Sequence, residues 1–182
     1  GAIAPLADGP FYFVDYAIAP DGKIAVLALD DTRLEVLFAL EDGERRPLAD
    51  HNEWLSERLL GEVRAVDFKS DGVDIGGLVM LPPGYVEGTR LPLIVSVHGG
   101  PVSQFVHEFM FEWRWYAANG YAVLGVNPRG SSGKGLAFST AIYADWGGPD
   151  VKDVLAGVDH VVAAGIADPE RIGVGGWSYG GM

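Results

Sequence analysis

The sequence predicts an α/β fold, a mostly parallel sheet with helices laid on it, preceded by a short antiparallel meander. Three observations predict it. Leu93 to Val97, Tyr121 to Val126 and Ile172 to Gly175 are short apolar runs of the kind found in strands covered on both faces. Between the last two, Val151, Val154, Leu155, Val158, Val161 and Val162 recur at the spacing of a helix resting on a sheet. The N-terminal part has a different rhythm: Phe11 to Ala19, Lys23 to Leu29 and Leu34 to Leu40 are strand-like runs, each closed by a turn signal such as Pro20-Asp21-Gly22 or Glu41-Asp42-Gly43.

Taken in order, these runs give one antiparallel sheet of three or four strands, then a connector from about Pro47 to Leu60 with a short amphipathic turn. Val63 to Phe68 and Val73 to Leu81 form a strand pair around Ser70-Asp71-Gly72. The buried strand Leu93 to Val97 follows. A helix is expected from about Phe105 to Asn119, apolar nearly all round and stopped by Gly120 at its C′ position. Asp145-Trp146-Gly147 and Asp150 are expected to end one segment and cap the helix that begins near Val151. Ile172 to Gly175 then forms a third buried strand, running directly into Ser178.

Composition excludes several classes. Among 182 residues, 48% are hydrophobic and 21% charged, which is ordinary for a globular chain. The net charge of −12 is spread over both halves, so nucleic acid and anionic membranes would be repelled. No apolar run reaches membrane-span length. The absence of cysteine removes disulfides, thiolate catalysis and cysteine metal sites; it suits a cytoplasmic location and leaves periplasmic or secreted ones open. The chain opens at Gly1 and stops at Met182 inside a glycine-rich motif, so a piece of a longer protein is expected.

Two motifs carry chemistry. Gly176-Trp177-Ser178-Tyr179-Gly180 is a G-x-S-x-G pentapeptide. With 26 glycines in the chain the bare pattern arises easily by chance, but this one directly follows a buried strand, where an exposed nucleophilic serine on a tight turn has to sit. His98-Gly99-Gly100-Pro101 follows the first buried strand, in the place of a loop that offers a backbone N–H to an oxyanion. Its two glycines let the backbone approach a carbonyl without a side-chain clash.

Other readings of these residues are weaker. Ser178 could be a structural serine in a glycine-rich turn. Gly173-Val174-Gly175-Gly176 fails as a dinucleotide fingerprint because its sixth position is Ser178, and Gly130-Ser131-Ser132-Gly133-Lys134-Gly135 fails as a P-loop on spacing. No cofactor is expected. His107 and Glu108 have no matching i+4 ligand on their expected helix, His51 lies in the connector and His160 points to solvent, so no metal is expected either. The Trp113, Trp115 and Tyr116 cluster reads as core. Arg129 either braces the loop after the second buried strand or makes a surface salt bridge.

With His98-Gly99-Gly100-Pro101, Asn127-Pro128-Arg129-Gly130-Ser131-Ser132-Gly133, Asp145-Trp146-Gly147, Asp168-Pro169-Glu170-Arg171-Ile172 and Gly176-Trp177-Ser178-Tyr179-Gly180-Gly181 in order, the chain from about residue 61 onward resembles the prolyl oligopeptidase family of serine peptidases. HGGP, where carboxylesterases carry HGGG, favours peptidases. The resemblance implies that residues 1–60 are the end of a β-propeller and connector, and 61–182 the first half of an α/β-hydrolase domain. It implies Ser178 as nucleophile, the Tyr179 and Gly100 backbone N–H groups as oxyanion donors, and His98, Gly99 and Arg129 as supporting residues. His98 favours the acylaminoacyl-peptidase branch and Trp177 the dipeptidyl-peptidase branch.

In this fold the triad acid and histidine follow the serine, and only four residues follow Ser178. The 182-residue piece is therefore expected to be inactive alone. The expected partners are a peptide substrate and the remainder of the same enzyme, with room for a homo-oligomer. An esterase on the same fold and a non-catalytic interaction domain remain as alternatives.

Overall fold

A computed structural model describes residues 5–7, 9 and 11–182. The chain divides into two compact units, Gly1–Leu59 with Val106–Met110, and Leu60–Phe105 with Phe111–Met182.

The first unit is built on a four-stranded antiparallel meander, β1 (Tyr12–Ile18), β2 (Ile24–Asp30), β3 (Arg33–Glu41) and β4 (Glu44–Ala49). Alternation sets the buried face: Val26, Ala28, Val36 and Phe38 pack together, with Ile24 and Leu40 against them. β4 lies where the sequence suggests a connector. Pro47 is tolerated because β4 is an edge strand, and the register shifts beside its partner Phe38. A 3-10 turn, Glu53–Glu57, follows.

The second unit holds a five-stranded sheet in the order β5-β6-β8-β7-β9, from β5 (Val63–Ser70), β6 (Val73–Met80), β7 (Leu91–Val97), β8 (Ala122–Asn127) and β9 (Ala167–Gly176). β7 pairs in parallel with β8 and β9, whereas β6 pairs antiparallel with β5 and β8. The sheet is therefore evenly mixed where a mostly parallel one is expected, because the β5–β6 hairpin extends it on the β8 side. Its core gathers Ile75, Val79, Leu81, Leu93, Leu124 and Val126, all at most 1% exposed.

Three elements of this unit depart from the sequence reading. The helix expected from Phe105 is only α1 (Phe111–Ala118). Asn127 explains its late start: its side chain accepts from the Phe105 N–H at 2.7 Å and donates to the Phe105 carbonyl at 3.0 Å, satisfying the backbone outside a helix. Residues 106–110 then join the first unit, where His107 Nδ1 lies 2.6 Å from Asp31 Oδ2. α1 does end as expected, with the Gly120 N–H on the Ala117 carbonyl and the Tyr121 N–H on that of Tyr116.

The second departure is β9. It is an edge strand with Ile172 and Val174 exposed, where a buried mid-sheet strand is expected. The third is α3 (Pro149–Ala163), which follows the short α2 (Leu136–Ser139). α3 buries Asp153, Gly157 and Val161, but Val151 and Leu155 stay exposed. They border an apolar groove of about 660 Å³ between α3 and the β7/β9 face.

Aromatic residues also differ from expectation. Trp113 is buried, but Trp115 is exposed and the Tyr116 hydroxyl donates to Glu112. His160 is not simply solvated, since its half-buried ring stacks on Phe68 at 5.6 Å. No helix among the described residues is long and apolar enough to cross a membrane.

Candidate active site

β9 ends at Gly176, and after Trp177 a single 3-10 turn, Ser178–Gly181, reverses the chain at the carboxyl rim of the parallel strands. Ser178 sits at the apex with φ +58°, a left-handed conformation costly for an L-residue. The turn closes because its flanking glycines leave room for backbone. A Cβ on Gly180 would lie 2.1 Å from the Val97 carbonyl oxygen, and one on Gly176 would lie 2.2 Å from the Gly180 carbonyl oxygen. Small residues around the serine are thus a steric requirement of this turn.

The loop after β7 lies directly against that apex. A Cβ on Gly99 would be 3.5 Å from Ser178 Cβ and 4.0 Å from Ser178 Oγ. Gly100 adopts φ +123°, which strongly favours glycine, and precedes a cis peptide bond to Pro101. Among the described residues, no hydrogen bond of the fold uses the Gly100 or Tyr179 N–H. Two unspent amides and a hydroxyl on neighbouring turns are the parts that could hold an oxyanion while the hydroxyl attacks.

His98 sits beneath this loop. Its Nδ1 is 2.7 Å from the Gly99 carbonyl oxygen and its Nε2 is 2.9 Å from Ser131 Oγ. A carbonyl only accepts, so Nδ1 carries the proton and Nε2 accepts from the Ser131 hydroxyl. Burial pushes the His98 pKa below the ordinary imidazole value, against the opposing effect of the Gly99 hydrogen bond. The ring meets Phe105 edge-on at 5.3 Å. His98 is occupied with the loop and with Ser131; none of the hydrogen bonds among the described residues reaches Ser178 Oγ.

Arg129 lies one loop away. Its guanidinium meets the fully buried Asp153 carboxylate through Nη2 at 2.7 Å and Nε at 2.9 Å, and its backbone N–H donates to the same carboxylate at 2.8 Å. It also reaches Asp71 in the β5–β6 turn at 3.3 Å. Of the two roles open to Arg129, this geometry is the brace: β5–β6 turn, post-β8 loop and α3 are tied at one side chain. The hydrogen bond with Asp153 raises the Arg129 pKa further.

Asp145 and Asp150 do not cap α3. The N-cap is Gly148 with no side-chain bond, and Pro149 opens the helix. Asp150 is instead buried, accepts the Gly147 N–H at 3.2 Å and accepts the hydroxyl of Tyr179. Asp153, Ser131 and Asn127 are missed by pattern reading. A signal for Asp153 does exist, since it lies with Gly157 and Val161 on the i, i+4, i+8 face of a helix whose buried side is otherwise apolar.

Similarity to known proteins converges on one group. A family model described as the prolyl oligopeptidase family matches residues 107–182. The uncharacterized peptidase YuxL of Bacillus subtilis is 33% identical over all of this chain, and dipeptidyl-peptidase 5 of Porphyromonas gingivalis is 34% identical over all of it; the chain covers 28% and 27% of their lengths. In three dimensions, acylaminoacyl peptidase of Pyrococcus horikoshii superposes with a TM-score of 0.89 at 32% identity, over 99% of this chain and 29% of that one. An acylaminoacyl peptidase bound to Z-Gly-Gly-Phe-chloromethyl ketone superposes with a TM-score of 0.87 at 33% identity, over 96% and 28%. The chain spans little more than a quarter of each relative.

Proposed function

The chain belongs to the prolyl oligopeptidase family, and on that premise we propose that it carries the nucleophile-bearing part of a serine peptidase acting on short peptides. Residues 61–182 serve as the first half of an α/β-hydrolase domain, and residues 1–60 as the last strands of a propeller and its connector. Ser178 Oγ attacks the scissile carbonyl. Its proton passes to a histidine outside these 182 residues, which an equally external carboxylate orients, and the amine leaves before water releases the acyl group. The amides of Tyr179 and Gly100 take up the negative charge on the carbonyl oxygen, each worth about 2.7–4 kcal/mol in the transition state. His98 holds the Gly99 carbonyl and so fixes the peptide that presents the Gly100 amide, and Arg129 anchors the loop bearing Ser131.

One observation carries this reading: the strained Ser178, φ +58°, stands at a strand-to-turn apex with the Gly99 backbone pressed against it. Strain of this kind persists where the surroundings over-determine it, as at reactive centres. Acylaminoacyl and dipeptidyl substrates are the two classes acted on by similar proteins, by their names. The test is a panel of acyl-aminoacyl, dipeptidyl and simple ester substrates on the full-length protein. Turnover of the peptide anilides that vanishes in Ser178→Ala supports the reading, and activity confined to simple esters replaces it with a carboxylesterase.

A further inference from the structure

The Asp145-Trp146-Gly147 turn and the start of α3 hold a buried carboxylate for which the reaction above has no use. Asp150, in the first turn of α3, is 6% exposed. Its Oδ2 accepts the Tyr179 hydroxyl and the Gly147 N–H, the latter at 3.2 Å. Its Oδ1 is buried without a partner among the described residues. The Trp146 ring meets the Tyr179 ring edge-on, centroids 5.4 Å apart. Three groups of one short segment thus converge on a single side chain, the one adjacent to the proposed nucleophile.

The backbone at that position is otherwise lightly held. The 3-10 turn is tied by the Gly180 N–H on the Trp177 carbonyl at 3.0 Å and the Met182 N–H on the Tyr179 carbonyl at 3.1 Å. Neither bond fixes the Tyr179 amide itself. A phenol donating to a carboxylate makes a charge-assisted hydrogen bond, stronger than a neutral one. Burial, the hydrogen bond to Asp150 and its charge all push the Tyr179 phenol above its ordinary pKa, so it remains a donor. The Asp150 carboxylate in turn lies in the first turn of α3, where the helix dipole favours negative charge. Anchoring the far end of the Tyr179 ring to a packed helix limits rotation about Cα, and with it the direction of the Tyr179 N–H.

We propose that Asp150 is a positioning residue: by gripping the Tyr179 hydroxyl, with Trp146 packed on the ring, it aims the Tyr179 amide at the oxyanion. The inference rests on the peptidase reading above. It also gives the Asp-Trp-Gly turn a role that helix capping does not, since the helix has no side-chain cap.

The test uses the full-length enzyme and the peptide substrate it turns over best. Tyr179→Phe removes only the hydroxyl, and kcat is expected to fall about tenfold with KM within about twofold, as for loss of a hydrogen bond to a charged group. Asp150→Ala should lower kcat similarly, and the double variant should be no worse than the poorer single one. Asp150→Asn, which keeps an acceptor oxygen, should recover most of the loss. Affinity for a peptide boronate, which forms a tetrahedral adduct on the serine, should fall in step with kcat while affinity for the product peptide holds. A Tyr179→Phe enzyme with wild-type kcat, or one changed only in KM or thermal midpoint, overturns the positioning role and leaves the peptidase reading intact. A wild-type enzyme that turns over no peptide overturns both.

Discussion

At the scale of single residues, the account turns on how little space surrounds Ser178. The apex exists because Gly176 and Gly180 let carbonyl oxygens pass where a methyl group cannot fit. Gly180→Ala is expected to push the turn away from Val97 and reduce peptide turnover by at least about a hundredfold, since a displacement near 1 Å at a reacting group suffices for that. Steady-state kinetics on the full-length variant checks it; wild-type turnover would mean that the turn can accommodate a Cβ. His98 supplies a pH dependence. Its folded-state pKa is depressed below the ordinary 6.5 by burial, so the unfolded chain binds the proton more readily. The neutral ring's contribution to stability is complete above about pH 6.5 and is lost as pH falls through the depressed folded value. His98→Gln, which keeps an amide donor, should flatten the acid side of the stability profile measured by chemical denaturation at stepped pH.

At the scale of elements, the buried pairing of Arg129 with Asp153 joins α3, the post-β8 loop and the β5–β6 turn. Asp153→Ala strands the guanidinium and is expected to cost about 3 kcal/mol of stability, the usual penalty for breaking a buried pair from one side. Chemical denaturation of the full-length protein reads it, and a loss below about 1 kcal/mol would reassign the contact to the class of surface ion pairs. The limits of pattern reading lie at this scale as well. The elements that bury a periodic face were legible: β5 to β8 and α3 stand within a few residues of their expected places. What pattern could not convey was a side chain substituting for backbone. Asn127 satisfies both polar groups of Phe105, and so α1 begins at Phe111 although the preceding residues are as apolar as the helix itself. Burial of β9 was misjudged for a related reason, because an apolar run states a preference for cover without saying whether a neighbour within this chain supplies it. The site divides the same way. Ser178 and the His98-Gly99-Gly100-Pro101 loop were visible as motifs, whereas Asp150, Asp153 and Ser131 act through partners distant in sequence, at separations of 22 to 33 residues.

At the scale of the whole molecule, 182 residues bring a strained serine and two available amides together but set no base beside the hydroxyl. A serine with oxyanion donors alone retains about 10³–10⁴-fold over water, far below a complete triad. The isolated 182-residue chain is therefore expected to give no steady turnover of peptide anilides; sustained turnover abolished by Ser178→Ala would reveal a base among these residues. The net charge of −12 bears on substrates too, since a cationic peptide end is attracted and an anionic one repelled. Everything in this account depends on Ser178 Oγ being the atom that becomes acylated. The most direct measurement is to react the full-length protein with a fluorophosphonate and locate the adduct by peptide mass spectrometry. A single adduct on the peptide containing Ser178, lost in Ser178→Ala, is the predicted result. Labelling of a different residue, or equal labelling of wild type and Ser178→Ala, would contradict it.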